Sequence, residues 1–181
     1  QAKTLFPYTT LFRSLSNASG NNQSQDYITA IPVANAGGVT NTAINLTMTH
    51  QVAKVNVILW SNTYSEAKLT AAKVTLPNYD MGGSMNKGLY SRGTLKGTIT
   101  LDNPVKVIPT QSGAVTTYNT ASYLQEQTVA KQTPLVIVEI DGRSYTVKHT
   151  DDVAYTSGKI TNLKIQIEKS DLKVSVDVAN W

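Results

Sequence analysis

Two histidines, His50 and His149, are the first residues to weigh, because imidazole titrates near neutrality and binds metals. They lie far apart in the chain, and neither has a His-x-x-His or His-x-Glu spacing beside it. Each reads as a strand-end histidine making one backbone hydrogen bond. Asp151 and Asp152 could offer oxygens to calcium. A calcium loop needs a DxDxDG spacing or a third acid nearby, and both are missing, so a solvated turn is expected. Glu139 is flanked by Val138 and Ile140 in an apolar run, where burial could raise its pKa. As an edge-facing residue near a strand end it needs no such role. Cysteine is absent, which removes disulfides, thiolate ligands and cysteine nucleophiles together. No GxxxxGK[ST], GxGxxG or GxSxG motif occurs. The reading is therefore of a non-enzyme without cofactor or metal.

Aromatic side chains offer a different chemistry, since flat rings stack on sugar faces. Trp60, Tyr64, Tyr79 and Tyr90, with Tyr118 and Tyr123, fall in or near expected loops. The first four are the candidate glycan contacts, against a background in which scattered surface aromatics are ordinary. The net charge of +4 invites a nucleic-acid reading, but setting aside Lys3 and Arg13 of the first fourteen residues leaves +2. Lys164, Lys169 and Lys173 are spread along strand-like segments and form no block that would track phosphates, so no nucleic-acid partner is expected.

The elements that must position these residues are strands. The 181 residues include 24 Thr and 17 Val, a β-branched excess that suits pleated sheets, and 15% are charged. AINLTMTH (43–50) and QVAKVNVILW (51–60) alternate, the second with Ala53, Val55, Val57 and Leu59 on one face. Further strands are expected at 72–77, 96–101 and 104–109, with the Gly-containing stretch 78–93 as a surface loop. Residues 110–133 give only weak strand signal. PLVIVEI (134–140), Asp141-Gly142 and RSYTVKHT (143–150) read as a hairpin with a type I′ turn, the first strand being central. KITNLKIQIE (159–168), a KSD break and LKVSVDVANW (172–181) are two strands with one apolar face each. Such a series, with no convincing helix, predicts an all-β sandwich of about seven to nine antiparallel strands.

Residues 1–14 fit none of this. They are aromatic-rich without period, lack the apolar core of a signal peptide, and TLFPYTTLFRS resembles translated sequencing-adapter DNA. The organisation expected is an artefactual leader at 1–14, a remnant of an N-terminal β domain and linker at 15–40, and a C-terminal β-sandwich domain at 41–181. The Gly-rich Asn35–Thr40 marks the boundary. No run of 18 apolar residues could form a membrane-spanning helix.

NLTMTHQVAKVNVIL (45–59), VIPTQ (107–111), SGKITNLKIQIEKSDLKVS (157–175) and the closing Trp181 resemble the fimbrillin-like family of Bacteroidales, the type V pilus subunits. The positions that carry the resemblance are His50, Ala53, Lys54, Val55, Gly158, Lys159 and Trp181, with DYITA (26–30) ahead of them. The resemblance implies transthyretin-like sandwiches in a surface fimbrial subunit or adhesin, of which this chain would be the C-terminal part. It further implies a location at the outer membrane or fimbrium, through a lipid anchor that would precede the sequence. The partners implied are other fimbrial subunits, with host or bacterial glycans or proteins as further ligands. A glycan-binding surface lipoprotein domain is the alternative. Assembly would proceed by strand complementation, and Leu172, Val174, Val176 and Val178 have the alternation that a donor or terminal strand needs. The short KSD turn favours their pairing with Lys159–Glu168 in the same chain, which would suit a tip, anchor or accessory subunit better than a stalk subunit.

Overall fold

The structure, a computed structural model, describes residues 28–32, 46–86, 89–101, 105–107 and 117–180. The leader 1–14, the connector Asn35–Thr40, most of VIPTQ and Trp181 lie outside the described residues. Along the described chain run β1 (Ile28–Pro32), β2 (Leu46–His50), β3 (Ala53–Trp60), α1 (Glu66–Thr70), β4 (Lys73–Asn86), β5 (Leu89–Leu101) and β6 (Val105–Val107). They are followed by β7 (Thr117–Leu124), β8 (Gln127–Val129), β9 (Pro134–Ile140), β10 (Arg143–Lys148), β11 (Val153–Tyr155), β12 (Lys159–Ile167) and β13 (Leu172–Asn180).

Nine of these strands make two sheets, ordered β10-β9-β4-β5 and β13-β12-β3-β7-β6. The pairs β1-β2 and β11-β8 stand apart from them. One apolar cluster draws on both larger sheets. Val55, Val57 and Leu59 of β3 and Leu163, Ile165 and Ile167 of β12 join Val74, Leu76, Ile99, Val136, Val138 and Val147 from the other sheet. Burying each such side chain contributes about 1.5–3 kcal/mol, which is what holds the two layers face to face. The expected sandwich is therefore present, with one departure from all-antiparallel pairing among the described strands. β12 runs parallel to β3, from Ile160↔Lys54 to Gln166↔Trp60. β12 lies between its hairpin partner β13 and the earlier strand β3.

Pattern reading gave β3 correctly: its inward residues are buried and its outward ones half-buried. The Asp-Gly step forms the expected turn, with φ of 51° at Asp141 and 73° at Gly142, and it joins β9 to β10. Residues 78–93 differ from expectation. In place of a surface loop, β4 and β5 continue through the region as a long hairpin with register shifts between Leu76 and Tyr79 and between Met81 and Gly83. Asn78 and Gly82 take positive φ there, 61° and 74°. The glycines that suggested a loop instead permit close approach. A Cβ on Gly93 would lie 2.4 Å from the Met81 carbonyl oxygen, and one on Gly97 would lie 2.0 Å from the Met81 sulfur. The short helix α1 was likewise not expected; five residues are too few to show a helical period. Leu69 anchors it in the core.

Candidate functional site

β13 reads as alternating apolar and polar residues, and that pattern sets its two faces. A tight turn delivers it: the Glu168 N–H donates to the Asp171 carbonyl at 2.8 Å, and the Leu172 N–H donates to the Asp171 side chain at 2.8 Å. β13 then pairs antiparallel with β12 along its whole length, from Ile167↔Leu172 to Lys159↔Asn180. The candidate terminal strand thus folds back on its own chain.

Its burial is incomplete. Leu172, Val174 and Val176 pack against the core but stay partly exposed, and Val178 is 55% exposed. Opposite them on β12, Leu163, Ile165 and Ile167 are fully enclosed. β13 is also the last strand of its sheet, so among the described residues no strand covers its second backbone edge. The edge charges are light: Lys164–Asp177 at 3.9 Å and Lys173–Asp171 at 3.6 Å are solvent-exposed pairs worth little energetically. An uncovered backbone edge beside a half-covered apolar row is the kind of surface to which an incoming strand adds.

Glu168, which the sequence reading passed over, fixes the near end of this edge. Its carboxylate accepts hydrogen bonds from the Asn62 N–H (3.0 Å), Asn62 Nδ2 (3.1 Å), Thr63 Oγ1 (2.7 Å), Ser61 Oγ (3.3 Å) and Gln166 Nε2 (2.9 Å). Burial alone would raise its pKa. The donors from Gln166, the Asn62 backbone, Thr63 and Ser61 outweigh that and hold it down at about 2. Arg143 donates to the Lys169 carbonyl at 2.7 Å, so β10 also grips the turn. The only sequence signal for this was the Ser-Asn-Thr run after Trp60, three adjacent short donors.

The four candidate glycan aromatics are not brought together. Tyr79 is fully buried, its hydroxyl 2.8 Å from that of Tyr155 and donating to the Leu135 carbonyl at 3.2 Å. Tyr64 is buried with its hydroxyl 2.6 Å from that of Tyr145. Both were expected near loops; rings with a hydroxyl partner gain more from the core than from solvent. Trp60 is half-buried on the outward face of β3, across from Gln166, and Tyr90 lies over Gly83 on the β4–β5 hairpin.

The other chemistry-bearing residues take ordinary positions. His149 Nδ1 lies 3.2 Å from the Asp151 N–H, which donates to it. Asp152 accepts from the Lys131 N–H at 2.8 Å. Glu139 is exposed, 3.8 Å from Lys73. His50 ends β2 opposite Ile28 and does not begin the strand that follows. Among the described residues, no three His, Asp or Glu side chains converge as a metal site, and no helix is long and apolar enough to cross a membrane.

The sequence matches the fimbrillin-like family over residues 2–181. No curated protein sequence gives a match. Among solved structures, the fold is similar to that of a protein assigned to cell adhesion from Bacteroides uniformis. The likeness has a TM-score of 0.57 and 15% identity, covering 75% of this chain and 52% of that one. Weaker likenesses reach a second protein so assigned, from Bacteroides ovatus, with TM-score 0.49 and 13% identity over 97% of this chain and 66% of that one. The tip fimbrial protein Mfa3 of Porphyromonas gingivalis, truncated at its C terminus, gives a TM-score of 0.47 and 12% identity over 76% and 54%. This chain spans about half the length of the Bacteroides uniformis protein.

Proposed function

Because this chain belongs to the fimbrillin-like family, we propose that it is a non-enzymatic fimbrial subunit or adhesin of the cell surface, joined to other fimbrial subunits by β-strand complementation. The observation that carries this reading is the β13 edge: a nine-residue strand satisfied by β12 on one side and, among the described residues, uncovered on the other, with Val174, Val176 and Val178 incompletely buried. An added strand would gain a ladder of main-chain hydrogen bonds and cover that row. Since β13 is already paired within its own chain, the position that suits it is tip, anchor or accessory subunit. On this reading the protein works on the fimbrium at the outer-membrane surface.

Photocrosslinking from the outward-facing Ser175 and Asp177, each replaced by benzoylphenylalanine, tests the proposal in cells that assemble fimbriae. The expected result is an adduct with another fimbrial subunit on the cell surface. Crosslinks confined to the chain's own β12 would overturn it.

A further inference from the structure

We propose that β13 is a strap that peels away first when force is applied through the two ends of the sandwich. The inference stands on topology alone and does not depend on the fimbrial reading. Ile160 of β12 lies beside Lys54 of β3 on one side and Ala179 of β13 on the other. The chain therefore enters the sandwich at Ala53 and leaves it at Asn180 at the same end of one sheet, two strands apart, a separation of about 10 Å. Tension between those points pulls across the strands. It loads the cross-strand pairs of the ladder one after another from Lys159↔Asn180 onward, and never all together.

Two pairings share that load, β12 with β3 and β12 with β13, and the structure ranks them. The start of β3 is tied to the turn before β12: the Gly158 N–H donates to the Val52 carbonyl at 3.0 Å, and Ser157 Oγ donates to the Gln51 carbonyl at 3.1 Å. The inward rows of β3 and β12 are fully enclosed. Among the described residues β13 has a neighbour on one side only, and its row is partly exposed, most of all at Val178 near the loaded end. Lys159 and Asn180 share a single side-chain hydrogen bond at that end. β13 is thus the pairing that gives way, and its release bares the β12 edge and the row Leu163, Ile165 and Ile167 while the rest of the core stays closed.

Single-molecule force spectroscopy on the full 181-residue chain tests this, with one handle at the N terminus and the other either after Trp181 or at Ser170→Cys. Ser170 lies in the exposed turn at the far end of β12, and the chain has no cysteine of its own. Whatever opens upstream of Ala53 is common to both attachments. Pulling after Trp181 should give a low-force step of about 45–50 Å before the main rupture, the extended span of nine residues together with the shift of the load from one end of the sheet to the other. Pulling from Ser170 loads β12 against β3 along their length and should give a single rupture at severalfold higher force. A disulfide between Lys164→Cys and Ser175→Cys, which sit opposite each other, should stop the peeling there and shorten the low-force step to the part released by residues 176–180, until it is reduced. A first rupture after Trp181 at the same force as the rupture from Ser170, or a first step of undiminished length in the crosslinked chain, would overturn the proposal.

Discussion

A carboxylate that takes hydrogen bonds from three consecutive residues of a distant turn acts as a staple, and Glu168 does this for Ser61, Asn62 and Thr63. Its folded pKa of about 2 lies below the ordinary 4.5, so its stabilising contribution is complete above about pH 4.5 and is lost as the pH falls toward 2. Urea unfolding of Glu168→Gln should therefore show a loss of about 1–2 kcal/mol at pH 7, with the difference from the parent narrowing as the pH falls toward 2. An unchanged pH dependence would remove Glu168 from that role. Tyr79 shows the same logic without charge. Burial, together with the neighbouring Tyr155, pushes its hydroxyl pKa well above 10.0, so it stays protonated and bonded. Tyr79→Phe should cost about 1–3 kcal/mol in denaturant titration, because it strips the Tyr155 hydroxyl of its buried partner. Neither residue was legible as a structural post in the sequence. An exposed-looking glutamate after an alternating strand and a tyrosine in a Gly-rich stretch give no sign of partners more than 50 positions away.

The β4–β5 hairpin shows what elements add. Asp80, near the start of the region read as a loop, is buried and meets Lys96 at 2.6 Å and Arg92 at 3.1 Å. Burial raises its pKa, but the bonds to Lys96 and Arg92 outweigh that and leave it below the usual carboxylate range. Gln127 and Gln125 brace the hairpin from the other side, accepting from the N–H groups of Asp80 (2.9 Å) and Gly93 (2.8 Å). The close backbone crossing at Gly93 has no room for a side chain. Gly93→Ala should lower stability by about 1–3 kcal/mol through overpacking, read as a reduced midpoint in chemical denaturation. A stability equal to the parent would mean that the hairpin relaxes freely at this crossing. Glycine and asparagine signal a turn in most contexts, and only the facing strand reveals that here they serve bulges and close contacts.

At the scale of the whole molecule, β13 is an edge strand of a sandwich with nine described strands, and its apolar row is only partly covered. Its removal would leave β12 with an open edge and lift one side off the row Leu163, Ile165 and Ile167. A chain ending at Ser170 should therefore have a melting temperature well below that of the parent. A synthetic peptide of residues 171–181, added in trans, should bind it and restore most of the loss. Fluorescence anisotropy of the labelled peptide and a melting curve of the mixture would show both. A truncated chain as stable as the parent would mean that β13 contributes little to the sandwich.

The alternation of apolar and polar residues determined from sequence alone that this is a β-sandwich, which faces of β3, β12 and β13 turn inward, and where the Asp141-Gly142 turn falls. These properties follow from side-chain periodicity and from the φ angles of one or two residues, which are local. The family resemblance came from the same strand segments in order. The parallel pairing of β12 with β3, the burial of Tyr64 and Tyr79, the Glu168 staple and the common end shared by Ala53 and Asn180 were decided only in three dimensions. Each depends on which distant segment becomes a neighbour, and that choice is made by the packing of all the apolar rows at once.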